Sequence, residues 1–179
     1  MNIVLIGMRG AGKSNVSRRL SVLTKRPVLS SDQLIEYDNG GRSIQQIVAD
    51  ANNDWHAFRD MEYEVVKKIT CLDNLIVDCG GGIIVDLDDE GNEIYSRRKV
   101  DLLRRNGTIV WLKGDIARLA AKVKDDASRP TLDAVRSAEE VMQRRLPFYE
   151  QAADIVINIE GKTREKLAAK IAKKIAKLA

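Results

Sequence analysis

The sequence predicts an α/β fold: a doubly wound, five-stranded parallel sheet flanked by helices. Three observations predict it. Short apolar runs recur at residues 2–6, 27–29, 75–77, 108–112 and 155–159, and none alternates with polar residues, as strands buried on both faces require. Segments with helical periodicity separate them, at residues 13–24, 54–69, 94–105, 115–123, 134–146 and 163–178. The first run ends in a Gly-rich turn that opens a helix, the arrangement by which a parallel sheet presents its carboxyl edge to a ligand.

Residues 2–6 form the first strand, and residues 7–12 turn into the first helix. After the second strand come about forty-five residues that do not fit simple alternation, with at least two helical patterns around Gly40 and Gly41. This stretch, about residues 32–70, reads as a substrate-binding insertion. The third strand precedes three consecutive glycines, and the fourth precedes a helix leading into a polar segment, about residues 122–132, that reads as a lid. The last helix carries Leu167, Ile171, Ile175 and Leu178 on one stripe, to pack on the domain while its lysines stay in water. With insertion and lid, residues 1–179 read as a single domain.

Composition excludes several classes. The 179 residues are 44% hydrophobic and 31% charged, too polar for a membrane protein and too apolar for disorder. The net charge of +4 is a local effect: residues 160–179 sum to +5 and the rest of the chain to −1. That distribution argues against nucleic acid or a membrane as partner. No basic leader opens the chain, so the expectation is a cytoplasmic monomer. Cys71 and Cys79 form no metal-type pair and read as reduced thiols. His56 is the only histidine, which removes zinc centres and histidine triads, and it has no accompanying motif that would give it a role.

The strongest motif is Gly7, Met8, Arg9, Gly10, Ala11, Gly12, Lys13, Ser14, a G-x-x-x-x-G-K-S between strand and helix. Its glycines let backbone N–H groups surround phosphate oxygens at a helix N-terminus. Lys13 reaches the β- and γ-phosphates and the Ser14 hydroxyl suits Mg²⁺. Gly10, Ala11, Gly12, Lys13, Ser14 and Asn15 are therefore the expected nucleotide contacts.

The other motifs are ambiguous one by one. Asp32 follows the second strand, where a helix cap and a proton-accepting carboxylate are equally good readings, since Ser30 and Gln33 also make a capping pattern. Arg59 and Glu62 stand three apart on a helix, which by itself means a surface ion pair worth a few tenths of a kcal/mol. Gly80, Gly81 and Gly82 permit close backbone approach or simply a turn. Arg129-Pro130 and Arg145-Leu146-Pro147-Phe148-Tyr149 complete the set.

Taken in order, these segments resemble the shikimate kinase family over nearly the whole chain, to about Asp154. The likeness rests on residues 7–14, on Asp32 to Glu36 (D-x-x-I-E), Gly41 to Ile44 (G-x-S-I) and Phe58 to Glu62 (F-R-x-x-E). It continues through the triple glycine, the lid Arg129-Pro130 and Arg145 to Tyr149 (R-x-P-x-Y). The resemblance implies ATP-dependent phosphorylation of the shikimate 3-hydroxyl, with Mg²⁺, on a nucleoside-monophosphate-kinase-like core of strand order 2-3-1-4-5. It implies that Asp32 contacts the reacting hydroxyl, that Arg59 and Arg145 hold the substrate carboxylate, and that Glu62 orients Arg59. It further implies that Phe58 and Gly80, Gly81 and Gly82 line the pocket, and that Arg129 closes onto the phosphates, so that Asp32, Lys13 and Arg129 are the catalytic set.

Four departures stand out. Ser30 occupies the place of the family's first Asp, which helps to hold Mg²⁺ through water. Asp78 replaces a small hydroxyl residue before the glycines, and is read here with Ser14 as a magnesium residue that takes over the missing role. Lys122 stands where an adenine-contacting arginine is common. Residues 86–92 make a longer, more acidic loop than usual. A kinase for another hydroxylated acid such as gluconate, and a nucleotide-binding regulator without turnover, are the competing readings.

Overall fold

Strand β1 (Asn2–Ile6) runs through the middle of the sheet with all five residues buried. The computed structural model describes residues 1–123 and 137–178. From β1 the chain passes through the phosphate-type loop into α1 (Lys13–Thr24), then β2 (Val28–Ser30) and three helices, α2 (Ser31–Asp38), α3 (Ile44–Asp50) and α4 (Trp55–Thr70). Strand β3 (Ile76–Asp78) returns beside β1. A hairpin, β4 (Val85–Leu87) and β5 (Glu93–Tyr95), leads to α5 (Arg97–Arg105), β6 (Gly107–Lys113) and α6 (Ile116–Val123). The described chain resumes with α7 (Ala138–Ala152), β7 (Ile155–Asn158) and α8 (Arg164–Ile175).

The main sheet has the order β2-β3-β1-β6-β7, every pairing parallel. Counting only its own strands, this is the expected 2-3-1-4-5. From β1 the chain goes to the edge strand β2, returns through β3 beside β1 and then crosses to β6 and β7, so the crevice for a ligand opens past the carboxyl end of β1, between the loops after β1 and β3. Ile3, Leu5, Ile76, Val77, Ile109 and Val110 fill the sheet's centre, and α8 covers α1 with Leu167, Ala168, Ile171 and Ile175. Each fully buried aliphatic side chain contributes about 1.5–3 kcal/mol, which is what holds the strands in register. Leu178, expected on the α8 stripe, lies past the helix end and is exposed.

Most helices start on a side-chain cap. Ser30 accepts from the Gln33 N–H at 3.3 Å, Asp54 from His56 at 2.9 Å and Thr163 from Lys166 at 3.4 Å. Ser43 with Gln46, and Ser137 with Glu140, make reciprocal capping boxes. The G-x-S-I motif is thus a helix start, and the Ile44 N–H donates to Glu36 at 3.3 Å, tying α3 to α2.

Two expectations need correction. The helix expected over residues 94–105 begins only at Arg97, because residues 93–95 pair antiparallel with residues 85–87. The acidic loop is the turn of that hairpin: Asp88 accepts from the Glu90 and Asn92 N–H groups, and Gly91 takes φ 82°. The helix expected to stop at residue 146 continues through Pro147 to Ala152. Proline there gives up one backbone bond, and Tyr149 compensates by stacking on Trp111 at 5.6 Å. Arg129 and most of the expected lid lie outside the described residues; Lys122 is exposed in the last turn of α6. Among the described residues no helix is long and apolar enough to cross a membrane.

Candidate active site at the carboxyl edge of the sheet

The nucleotide end is built by β1, its loop and α1. Gly12 caps α1 in a left-handed conformation, φ 81°, and contributes no side chain to the helix N-terminus. The first-turn N–H groups and the positive end of the helix dipole are left for an anion. Lys13 bends back over the loop and donates to the carbonyls of Gly7 at 2.7 Å and Met8 at 3.4 Å. The guanidinium of Arg164, at the start of α8, lies so close to Gly12 that a Cβ there would meet it at 3.0 Å. Sequence reasoning treated this last helix as packing alone. Its first turn also roofs the phosphate loop, and Arg19 pairs with Glu165 to hold it there.

The second half of the site hangs on β2, β3 and α4. Ser30, not Asp32, caps α2, and the Ser31 hydroxyl lies 3.5 Å from Asp32 Oδ1. That carboxylate reaches the triple glycine: a Cβ on Gly80 would stand 2.2 Å from Asp32 Oδ1, and one on Gly82 would stand 2.5 Å from Arg59 Nη1. Glycine is required at both positions by close approach. Two further groups fix this turn: the Gly80 N–H donates to Ser31 Oγ at 2.8 Å, and the Tyr149 hydroxyl donates to the Gly81 carbonyl at 2.6 Å. Burial pushes the Tyr149 phenol well up, so it stays a donor.

Arg59 and Glu62 do not form the surface pair that their spacing alone suggested. Arg59 is 3% exposed and Glu62 2%. Arg59 Nη1 donates to Glu62 Oε2 at 2.8 Å, and Lys99, fully buried on α5, donates to the same oxygen at 2.7 Å and to the Val85 carbonyl at 2.6 Å. Burial pushes the Glu62 carboxyl up, but Arg59 and Lys99 more than reverse it, and the group sits below its ordinary value. Burial also draws the Lys99 ammonium down, with Glu62 opposing it. The Arg59 guanidinium lies 5.6 Å from the Trp55 ring centre and 5.7 Å from that of Phe58, which is buried. Arg59 Nε is buried with no hydrogen-bond partner. An orphaned guanidinium N–H costs free energy unless an acceptor arrives.

Arg145 is also buried, and its Nε and Nη2 are both engaged by the carboxylate of Glu93 on β5, with Nε–O distances of 3.1 and 3.0 Å. The sequence offered no partner for Arg145 inside the chain. Lys99 was missed as well, although a lysine in line with the buried Leu103 of an amphipathic helix was a visible signal.

Asp78 ends β3 with its Cα in register with Leu5 of β1 and Ser30 of β2. Its neighbour Cys79 is a buried free thiol pushed well above its usual value, by burial first and then by the charge of Asp78, against a lowering contribution from Lys13. It stays a neutral packing residue, and Cys71 is exposed and also free. His56 is exposed near the hairpin turn, 2.9 Å from the Asp88 carbonyl, and takes no part in the site.

A phosphate loop on one side and an arginine pocket on the other leave phosphoryl transfer as the chemistry between them, and the fold falls in the class of P-loop small-molecule kinases. A family profile described as shikimate kinase matches residues 9–176. A shikimate kinase of Leptospira biflexa is 46% identical over 171 residues, covering 96% of this chain and 93% of the relative. One from Leptospira borgpetersenii is 38% identical over 174 residues, 97% of each. The solved structure of a shikimate kinase from Acinetobacter baumannii in complex with shikimate superposes with a TM-score of 0.81 at 27% identity, covering 98% of this chain and 93% of that one. The chain belongs to the shikimate kinase family.

Proposed function

We propose that this chain transfers the γ-phosphoryl group of ATP to the 3-hydroxyl of shikimate, giving shikimate 3-phosphate and ADP. The observation that carries the reading is Arg59: a buried guanidinium, held by Glu62 and Lys99, whose Nε lacks an acceptor in the pocket beside Asp32 and the glycine turn. A small carboxylate supplies that acceptor, and charge-assisted bonds to guanidinium are among the strongest a pocket can offer.

With its carboxylate held by Arg59 and Arg145, and its ring between Phe58 and Gly80, Gly81 and Gly82, the acceptor's hydroxyl falls to Asp32. Asp32 accepts the hydroxyl proton as the phosphoryl group arrives. Lys13 and the loop N–H groups around Gly10, Ala11, Gly12, Ser14 and Asn15 neutralise the phosphates, and Arg129 is assigned a further positive charge toward them. Positioning supplies most of the remaining rate. Use of ATP as the donor supports a cytoplasmic enzyme, and a monomer is the oligomeric state proposed with it.

The donor set fits Mg²⁺. Among the described residues no group of three or more His, Cys, Asp or Glu is arranged as a metal cage. Mg²⁺ prefers one or two protein oxygens together with phosphates and water. The Ser14 hydroxyl and the Asp78 carboxylate are hard oxygen donors of that kind, and bound Mg²⁺ would supply charge neutralisation at the phosphates. Ser30, in place of the family's first Asp, is spent on capping α2, while its register partner Asp78 carries the carboxylate. Asp78 therefore takes the outer-sphere role from the neighbouring strand. Asp78→Asn is expected to weaken magnesium dependence roughly 10–100-fold, and Ser30→Asp combined with Asp78→Ser to restore it. An unaltered magnesium titration of Asp78→Asn rejects the assignment.

The overall reading is tested by ADP release with shikimate, gluconate and nucleoside monophosphates compared side by side. Turnover is expected with shikimate. Faster turnover with gluconate, or none with any acceptor, overturns it in favour of a different acid kinase or a nucleotide-binding regulator.

A further inference from the structure

Arg145 poses a problem that its own chain has solved. A guanidinium 4% exposed needs a counter-ion, since a buried charge left alone costs several kcal/mol. Glu93 supplies one, presenting both carboxylate oxygens to the same edge of the fork. The contact is of the same chemical kind as the one a substrate carboxylate would make there.

We propose that Glu93 is a specificity-determining residue, an internal stand-in for the substrate carboxylate that Arg145 exchanges for the real one on binding. The proposal rests on the functional reading above, in which Arg145 anchors shikimate. Two carboxylates crowded on one buried guanidinium repel each other, so the anchor favours one at a time. Arg59 lowers the Glu93 carboxyl too, after burial and Arg145 itself, so Glu93 lies within the field of both anchoring arginines. Its mounting permits withdrawal. Glu93 opens β5, directly after the hairpin turn and opposite Leu87, in a two-stranded ribbon separate from the main sheet. That ribbon's base is pinned elsewhere: Asp86 takes a bidentate pair from Arg98 at 2.8 Å and a bond from the Ser96 hydroxyl at 2.7 Å. Glu93 can leave Arg145 by side-chain rotation while the ribbon stays in place.

The consequence is selection by charge. A carboxylate of the right shape replaces Glu93 at little net cost, because one ion pair is traded for another. An uncharged polyol of the same shape has nothing to offer Arg145, and the pocket remains closed by its own glutamate. Shikimate thus binds more weakly than the bare arginines would allow, and neutral analogues scarcely at all.

The test is calorimetric titration of shikimate into the wild-type chain and into Glu93→Gln and Glu93→Asp, without nucleotide. Removing the charge, or drawing it back by one methylene, should lower the shikimate Kd by roughly 3–30-fold, the factor expected when a competing state that holds most of the population is removed. Thermal melts accompany the titrations: the Glu93→Gln chain should melt lower when empty and gain more from shikimate than wild type does. A Kd that rises or stays within about twofold of wild type in the variants that melt cooperatively would show that Glu93 braces Arg145 instead, and would overturn the proposal. Failure of the functional reading looks different: wild type itself then neither binds shikimate nor releases ADP with it.

Discussion

Lys99→Met destabilises the fold by about 3–5 kcal/mol, the cost of breaking a buried ion pair by removing one partner, and raises the KM for shikimate with it. Lys99 is fully buried. Its ammonium holds Glu62 Oε2 and the Val85 carbonyl at 2.7 and 2.6 Å, and lies 3.7 Å from Asp86. Methionine fills much the same volume, so packing survives while the charge does not. Glu62 is then left with Arg59 alone, and the Val85 carbonyl loses its donor at the root of the hairpin. Arg59, the proposed anchor, donates to Glu62, so slack in Glu62 is expected to appear as a raised KM. Urea unfolding measures the first effect and steady-state kinetics the second. A variant within 1 kcal/mol of wild type, with an unchanged KM, would mean that the network is incidental to the pocket.

Asp32→Asn is expected to lower kcat by about 10²–10⁴, the usual share of a positioned general base, and to change shikimate affinity far less. Asparagine matches the carboxylate in shape, so the tight seat against Gly80 is kept while the proton acceptor is lost. Binding by titration and turnover by ADP release separate the two quantities. A kcat within tenfold of wild type would remove Asp32 from the chemistry and leave it as support for the glycine turn.

The parallel sheet was legible because its signals are local: unalternated runs, helical periods and one Gly-rich turn. The β4–β5 hairpin was not. Residues 94–105 hold a helical period that begins before the helix does, and the pairing of Ile94 with Asp86 depends on partners that periodicity does not register. The same limit explains the site. Asp32, Arg59, Glu62, Arg145 and the glycines could be singled out because each sits in a short motif. Their partners Lys99, Glu93, Ser31 and Tyr149 act across 37, 52, 49 and 68 residues of chain respectively, and only the fold brings them together. Arg59 with Glu62 shows the same limit: the spacing gives the pair, but whether it faces water or the interior is decided by α5 and the hairpin.

The middle strand of the sheet is also the first of its five strands along the chain. β1 must wait for β3, whose Ile76 pairs with Ile3, and then for β6, which sets Gly107 opposite Asn2, 105 residues later. Until then its four apolar residues, Ile3 to Ile6, have two bare edges. The helix that covers α1 and roofs the phosphate loop follows all five strands of the main sheet along the chain. Long-range pairings of this kind close slowly and leave sticky strand edges exposed meanwhile. The arrangement that puts the nucleotide loop at the heart of the finished fold thus makes its completion depend on strand pairings and a covering helix that lie far along the chain.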